Sequence, residues 1–388
     1  MPSWVMGTKV IYFDNAATSG RKPVTVSHAI CDCLKHANAN PGRSGHSLSV
    51  KAAEIIYSCR EILGELFNFP KTENIVLTKN ATEALNLALY GGLKNGCEVI
   101  TTSMEHNSVL RPLNHLHNKG IIRLYILSAD GNGVVHPKQI KEAITEDTSL
   151  IVVTSASNVT GTKMDLQGIY HAAQEAGVKM LVDGAQGAGA LRIDLKETPF
   201  DFLAVTGHKH LFGPQGTGAL IIKNADDLDS FMRGGTGSQS EMTIHPDFPP
   251  DKYEAGTLNT PGYAGLVAGI RFILDEGLEK IVGYEHELTE YLLGKLADIE
   301  EIQLYAPDAD RVATVSFNIQ GTPPSDVAYF LDREWGICAR SGLHCAPEAH
   351  KTLGTFSGGT IRFSFSFFNT KEEIDSAIEA LKDFVKHR

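Results

Sequence analysis

Short apolar runs alternate with longer amphipathic stretches through the first two thirds of the chain. The runs are NIVLT (74–78), EVITT (98–102), IRLYIL (122–127), LIVVTSA (150–156), KMLVD (179–183), DFLAVT (201–206) and GALII (218–222). Continuous apolar character over four to seven residues marks strands buried on both faces, and the intervening helical periodicity supplies the cover. The pattern predicts an α/β fold with a central, mostly parallel sheet. No internal repeat or low-complexity tract interrupts it. From Thr236 to Pro261 the sequence turns rich in Pro, Gly and polar residues, as ordered loops at active sites or interfaces do. After Tyr263 a long helical pattern precedes two further strand-like runs, VATVSFNI (312–319) and GTIRFSFSF (359–367), and a last amphipathic helix from Lys371 that closes on basic residues. This predicts a smaller C-terminal α+β domain.

A chain of 388 residues that is 42% apolar can bury a large core and more than one domain. No apolar run reaches the roughly 20 residues of a membrane helix, and the opening MPSWVMGTKV lacks the features of a signal peptide, so a cytoplasmic location is expected. The formal net charge of −11 argues against a nucleic-acid partner. Six cysteines without a CxxC pair do not make a disulfide framework, and Cys31 and Cys33 diverge on a helix, so no metal site is expected.

Lys209 follows the run 201–206 on a turn bracketed by Gly207 and Gly213, and Asp183 ends the preceding run. A lysine and an aspartate at successive strand ends are what pyridoxal phosphate requires, the amine to hold the aldehyde and the carboxylate to keep the pyridine nitrogen protonated. An aspartate in that place either caps a following helix or anchors a cofactor. The glycines of GAQGAG after it would let a ligand approach the backbone. His208 and His210 flank the lysine as cations or dipoles expected to depress its pKa. Asn80 with Glu83 has capping-box spacing at a helix start that can bind phosphate, with Thr82 adding a hydroxyl. His106 follows a strand and reaches the same sheet edge. Cys345, in RSGLHCAP, sits among Arg340, Gly342 and His344 on a polar, mobile loop whose positive charge favours a thiolate nucleophile. Arg362 interrupts an apolar strand, as a carboxylate-binding guanidinium would.

Taken together, YFDNAATS (12–19), RSGHSLS (43–49), KNATEALN (79–86), MEHNS (104–108), SNVTG (157–161), VDGAQGAG (182–189), VTGHKH (205–210), EAGTLNTPG (254–262) and RSGLHCAP (340–347) resemble the class V aminotransferase family. Within it they resemble the cysteine desulfurase and selenocysteine lyase group of Suf type. The resemblance implies a pyridoxal-phosphate-dependent transferase of fold type I, with a large domain over 16–262 and a small domain over 1–15 and 263–388. It implies that Lys209 holds the cofactor, Asp183 pairs with the pyridinium nitrogen, His106 stacks on the ring and Gln186 bonds the ring hydroxyl oxygen. The phosphate would be held by Thr82, Thr206, His208 and, from the other subunit of a homodimer, Thr257. Asn158 and Arg362 would fix the substrate carboxylate, with Arg340 close by. The sequence departs from the Suf-type pattern at Leu343, where a histidine is usual, and lacks the N-terminal helix ahead of the first motif.

The activity implied is conversion of L-cysteine to L-alanine with sulfur passing to Cys345 as a persulfide, L-selenocysteine being a second substrate and a sulfur- or selenium-acceptor protein a partner. A dedicated selenocysteine lyase, an ordinary aminotransferase and a catalytically silent scaffold of the same fold are the alternatives.

Overall fold

The computed structural model describes residues 10–42 and 44–387. The expectation for the first nine residues and the part of Arg43 in its motif lie outside the described residues. In chain order the elements are β1 (Ile11–Tyr12), α1 (Val24–His36), α2 (Ser47–Phe67), β2 (Ile75–Thr78), α3 (Ala81–Gly92), β3 (Cys97–Thr102), α4 (Asn107–Asn118), β4 (Ile122–Leu127), α5 (Pro137–Ala143), β5 (Thr148–Thr154), α6 (Leu166–Glu175), β6 (Lys179–Asp183), β7 (Phe202–Thr206) and β8 (Gly218–Ile222). The C-terminal part adds α7 (Thr260–Glu276), α8 (Leu278–Ala297), β9 (Ile302–Leu304), β10 (Thr314–Ile319), α9 (Pro324–Trp335), β11 (Ile337–Cys338), β12 (Arg340–Gly342), α10 (Pro347–Thr352), β13 (Thr360–Ser364) and α11 (Lys371–His387).

All seven predicted runs of the first part enter one sheet, in the order β2-β8-β7-β6-β5-β3-β4. From β7 to β4 neighbouring strands pair parallel, whereas β8 is antiparallel to both β7 and β2. The exception follows from chain length, because β7 and β8 are joined by a turn without a helix, and a parallel return needs a crossover. Alternate residues enter opposite cores, Ile100, Val153, Met180 and Val205 on one face and Val99, Val152, Leu181 and Ala204 on the other. Strand β4 differs from the expectation of burial on both faces: it is the sheet edge, and Tyr125 and Ile126 are exposed.

The second, antiparallel sheet has the order β12-β13-β10-β9. Strand β13 stops at Ser364 and not at 367, where Ser366 N–H turns to donate to Asn369 Oδ1 at 3.0 Å. A separate core gathers Leu288, Leu292, Phe317, Phe363 and Leu381 together with Ile11 and Phe13 of the chain start. Strand β1 pairs parallel with β11, which explains that company. Helix α7 buries Leu266, Ile270 and Ile273 in the first core. Among the described residues no helix is long and apolar enough to cross a membrane. None of their His, Cys, Asp and Glu side chains cluster as a metal site, and Cys31 is exposed while Cys33 is buried.

Candidate active site

The parallel strands end on one edge, and the ends of β2, β3, β5, β6 and β7 deliver parts of one cavity of about 230 Å³. Open α/β sheets place ligands there because the loops that follow the strands converge beyond their carboxyl ends. Beyond β2, Asn80 caps α3 by accepting from Glu83 N–H at 3.0 Å, so the free N–H groups of the first turn and Thr82 face the cavity. Glu83 departs from the expected capping box: its carboxylate accepts from the Lys79 amide, one residue before the cap. Beyond β3, His106 caps α4 and its Nδ1 accepts from Ser108 N–H at 3.0 Å. Asn158 follows β5, and Asp183 ends β6.

Asp183 caps no helix. Its Oδ1 accepts from Ala185 N–H at 2.9 Å in a tight turn, and the carboxyl is buried, which raises its pKa. The glycines after it serve packing and not ligand approach: a Cβ on Gly187 would lie 2.5 Å from Ser155 Oγ, and one on Gly189, where φ is +86°, 2.4 Å from His210 O. Lys209 occupies the β7–β8 turn, closed by Gly213 N–H donating to Gly207 O at 2.8 Å. Burial lowers its pKa to about 8 against the opposing attraction of Asp183, with Arg362 and Arg340 lowering it further. Of the two states open to the flanking histidines, cation or dipole, burial selects the neutral dipole. Burial first, and Lys209 second, pull both His208 and His210 to about 4, so they are neutral at pH 7 and the lysine shifts through its own burial. His106 also falls to about 4, by burial and then by repulsion from Lys209, Arg340, Arg111 and Arg362.

Arg362 is 1% exposed on β13 and already holds a carboxylate: Nη2 donates to Asp14 Oδ1 at 2.6 Å and Nη1 to Asn158 O at 2.7 Å. Asn158 spends its Nδ2 on His344 O at 2.6 Å. The Cys345 segment is tied down by that bond and by Asn107 N–H donating to Cys345 O at 2.7 Å, which replaces the expected mobile loop by an anchored one. His344 and Cys345 take positive φ, +48° and +59°, a bend that leaves His344 buried and the Cys345 thiol exposed, with Arg340 Nη2 3.6 Å from Sγ. Cys345 lines an adjoining cavity of about 420 Å³ that meets the first at Thr82, His106 and Ser108. Thr257 lies away from both, exposed beside Lys79 and Glu83.

The residues of the 12–19 motif have no role that their local sequence reveals. In the fold Asp14 braces Arg362, Ala16 O accepts from Gln186 Nε2 at 3.0 Å, and Thr18 and Ser19 hold the His208 carbonyl. No spacing rule could have found these contacts, since the partners lie about 170 to 350 residues away.

Several buried polar atoms are left without partners in this region: Thr206 Oγ1, Gln186 Oε1, His208 Nδ1, Asn158 Oδ1 and Arg362 Nε. Such atoms are costly unless a ligand meets them. With a buried carboxylate, a partly unprotonated buried lysine and free helix N–H groups, they fit pyridoxal phosphate.

The aminotransferase class-V family model matches residues 11–376. A probable cysteine desulfurase of Methanothermobacter thermautotrophicus is 37% identical over 382 residues, covering 96% of this chain and 94% of that protein. The apo structure of the cysteine desulfurase from Thermococcus onnurineus NA1 superposes with a TM-score of 0.91 at 34% identity, covering 98% of this chain and 95% of that one. The Escherichia coli cysteine desulfurase CsdA, solved as an S-sulfonic acid, gives 0.87 at 27% identity over 97% and 95%. With that match spanning nearly the whole chain and a cavity at its sheet edge whose residues fit the cofactor, the protein belongs to the class V aminotransferases, a pyridoxal-phosphate-dependent family.

Proposed function

We propose that the protein is a cysteine desulfurase that releases L-alanine from L-cysteine and receives the sulfur on Cys345. The exposed Cys345 thiol, 3.6 Å from Arg340 and beside the Lys209 cavity, carries this reading, because an ordinary aminotransferase has no task for it. Pyridoxal phosphate, when bound, supplies the electron sink that lets a proton leave the substrate Cα. Lys209 Nζ would hold it, Asp183 would face its ring nitrogen, and His106, neutral, would lie against its ring. Gln186 offers Oε1, an acceptor, and so suits a ring hydroxyl that donates. Thr206, His208, Thr82 and the α3 N-terminus suit its phosphate.

Lys209 has a pKa of about 8, so near neutrality a fraction of the amine is free to take the Cα proton and return it. The substrate carboxylate is assigned to Arg362 Nε and the nearby Arg340. Asn158 is a weaker choice than expected, since its free atom is an acceptor. Cys345 Sγ, exposed with Arg340 beside it, attacks the substrate sulfur as the bond from Cβ to sulfur breaks. L-Selenocysteine is proposed as a second substrate that depends less on Cys345, selenium being the better leaving group. A homodimer in which Thr257 reaches the partner's cavity, and a large and a small domain, complete the proposal. The packing of α7 in the first core favours placing the domain boundary after α7 and not at 262.

The test is alanine release from L-cysteine and L-selenocysteine with reductant present. Cys345→Ala should lose cysteine turnover by about 10²-fold or more and keep most selenocysteine cleavage; equal loss of both would remove the nucleophile role.

A further inference from the structure

The adjoining cavity of about 420 Å³ lies between α3, α4 and the Cys345 segment, and Cys345 lines this cavity and not the first. Two helix faces form its walls. Arg111 and His115 are four residues apart on α4, and Asn86 and Tyr90 four apart on α3, so each pair presents one face. The Tyr90 and His115 rings approach to 6.2 Å between centroids. Arg111 is exposed and makes no ion pair among the described residues. Among the described residues no carboxylate lines the cavity, in a chain whose net charge is −11. The chain's net charge repels anions overall, while this opening, with Arg111 lining it and Arg340 beside Cys345, attracts them.

We propose that this cavity is an acceptor site for a small thiol bearing a carboxylate, the carboxylate lying against Arg111 and His115 and the sulfur directed at Cys345. The inference rests on the reading of Cys345 as the sulfur-carrying residue. The acceptor thiolate attacks the outer sulfur of the Cys345 persulfide, the S–S bond breaks, and its electron pair stays on Cys345 Sγ. The products are the Cys345 thiolate and the acceptor persulfide, and no external oxidant or reductant enters. The cavity's volume is that of a small-molecule site, which favours a small thiol over a cysteine carried on a protein surface.

Cys345 of the holoprotein is charged in two ways, from L-cysteine and with inorganic polysulfide, with Cys345→Ser as the control for the other cysteines. Discharge is then followed by peptide mass with 3-mercaptopropionate, with neutral 2-mercaptoethanol and with an acidic peptide containing one cysteine, each at equal thiolate concentration. The expected result is a preference of roughly five-fold for 3-mercaptopropionate over 2-mercaptoethanol that disappears in Arg111→Gln, while discharge to the neutral thiol is unchanged. The same preference in Arg111→Gln, no preference in the parent protein, or fastest discharge to the peptide overturns the acceptor site. Failure to charge from L-cysteine, with the polysulfide-charged protein still showing the arginine-dependent preference, counts against the desulfurase reading alone.

Discussion

Arg362 has its charge balanced before any substrate arrives. Asp14 receives one N–H, the Asn158 carbonyl another, and Nε is left over. A buried guanidinium without its carboxylate is costly, and Asp14 is about a quarter exposed, so hydration softens the loss. Asp14→Ala should destabilise the fold by about 2 kcal/mol in denaturant titration. If Arg362 binds substrate, the same change should raise KM for L-cysteine roughly ten-fold and kcat little, because the guanidinium loses the contact that orients it. An unchanged KM would remove Arg362 from the substrate site.

At the scale of elements, the turn between β3 and α4 carries His106 and is braced by Glu105. One carboxyl oxygen accepts from Thr102 Oγ1 at 2.7 Å and from Thr154 N–H at 3.0 Å, which joins the ends of β3 and β5. Burial raises the Glu105 pKa to about 8, with Asp183 adding repulsion and the two hydrogen bonds opposing. A carboxyl whose folded pKa exceeds its unfolded value supports the fold fully below about pH 4.5, and that support is lost as pH rises through 8. Glu105→Gln should therefore gain stability relative to the parent between pH 5 and about 8 and lose that advantage on acidification, which denaturant midpoints across that range would show.

The second braced element is the segment leading to Thr257. Arg60 of α2 grips Glu254 through two bonds of 2.8 and 2.7 Å, and Leu77 N–H donates to the same carboxylate at 2.6 Å. Removing one partner of so buried a pair costs about 3–5 kcal/mol. Glu254→Ala should show that loss in chemical denaturation and expose the 254–259 segment to proteolysis; a loss under about 1 kcal/mol would mean the pair contributes little.

Across the whole molecule, one end of the chain completes the site built by the other. Strand β1 pairs with β11, Asp14 meets β13, and Thr18 and Ser19 hold the turn of Lys209. Exposed Phe231, Met232, Met242, Ile244 and Phe248 cluster in sequence around the long 236–261 loop, as an interface would require. The proposed homodimer should give twice the monomer mass in light scattering, and Thr257→Ala should then weaken cofactor retention on dilution. A strict monomer would remove Thr257 from the site.

The local rules carried the sequence a long way. Buried strands announced themselves by continuous apolar runs, and Lys209 and Asp183 by their places at strand ends, because both signals are set by neighbours in the chain. The family resemblance added the order of the motifs. Distance and burial were decided by the fold. The charge states of His208 and His210 depend on how completely the cavity excludes water, and the edge position of β4 depends on strand order. The glycines after Asp183 make way for the Ser155 side chain and the His210 backbone, which only tertiary packing brings to them. Arg362 was legible as a carboxylate binder, yet that its first partner is Asp14, 348 residues away, follows from the crossing of the chain's two ends. Sequence patterning governs what a segment wants to bury or cap; which groups then meet, and at what charge, is settled by the solvent-excluding geometry they form together.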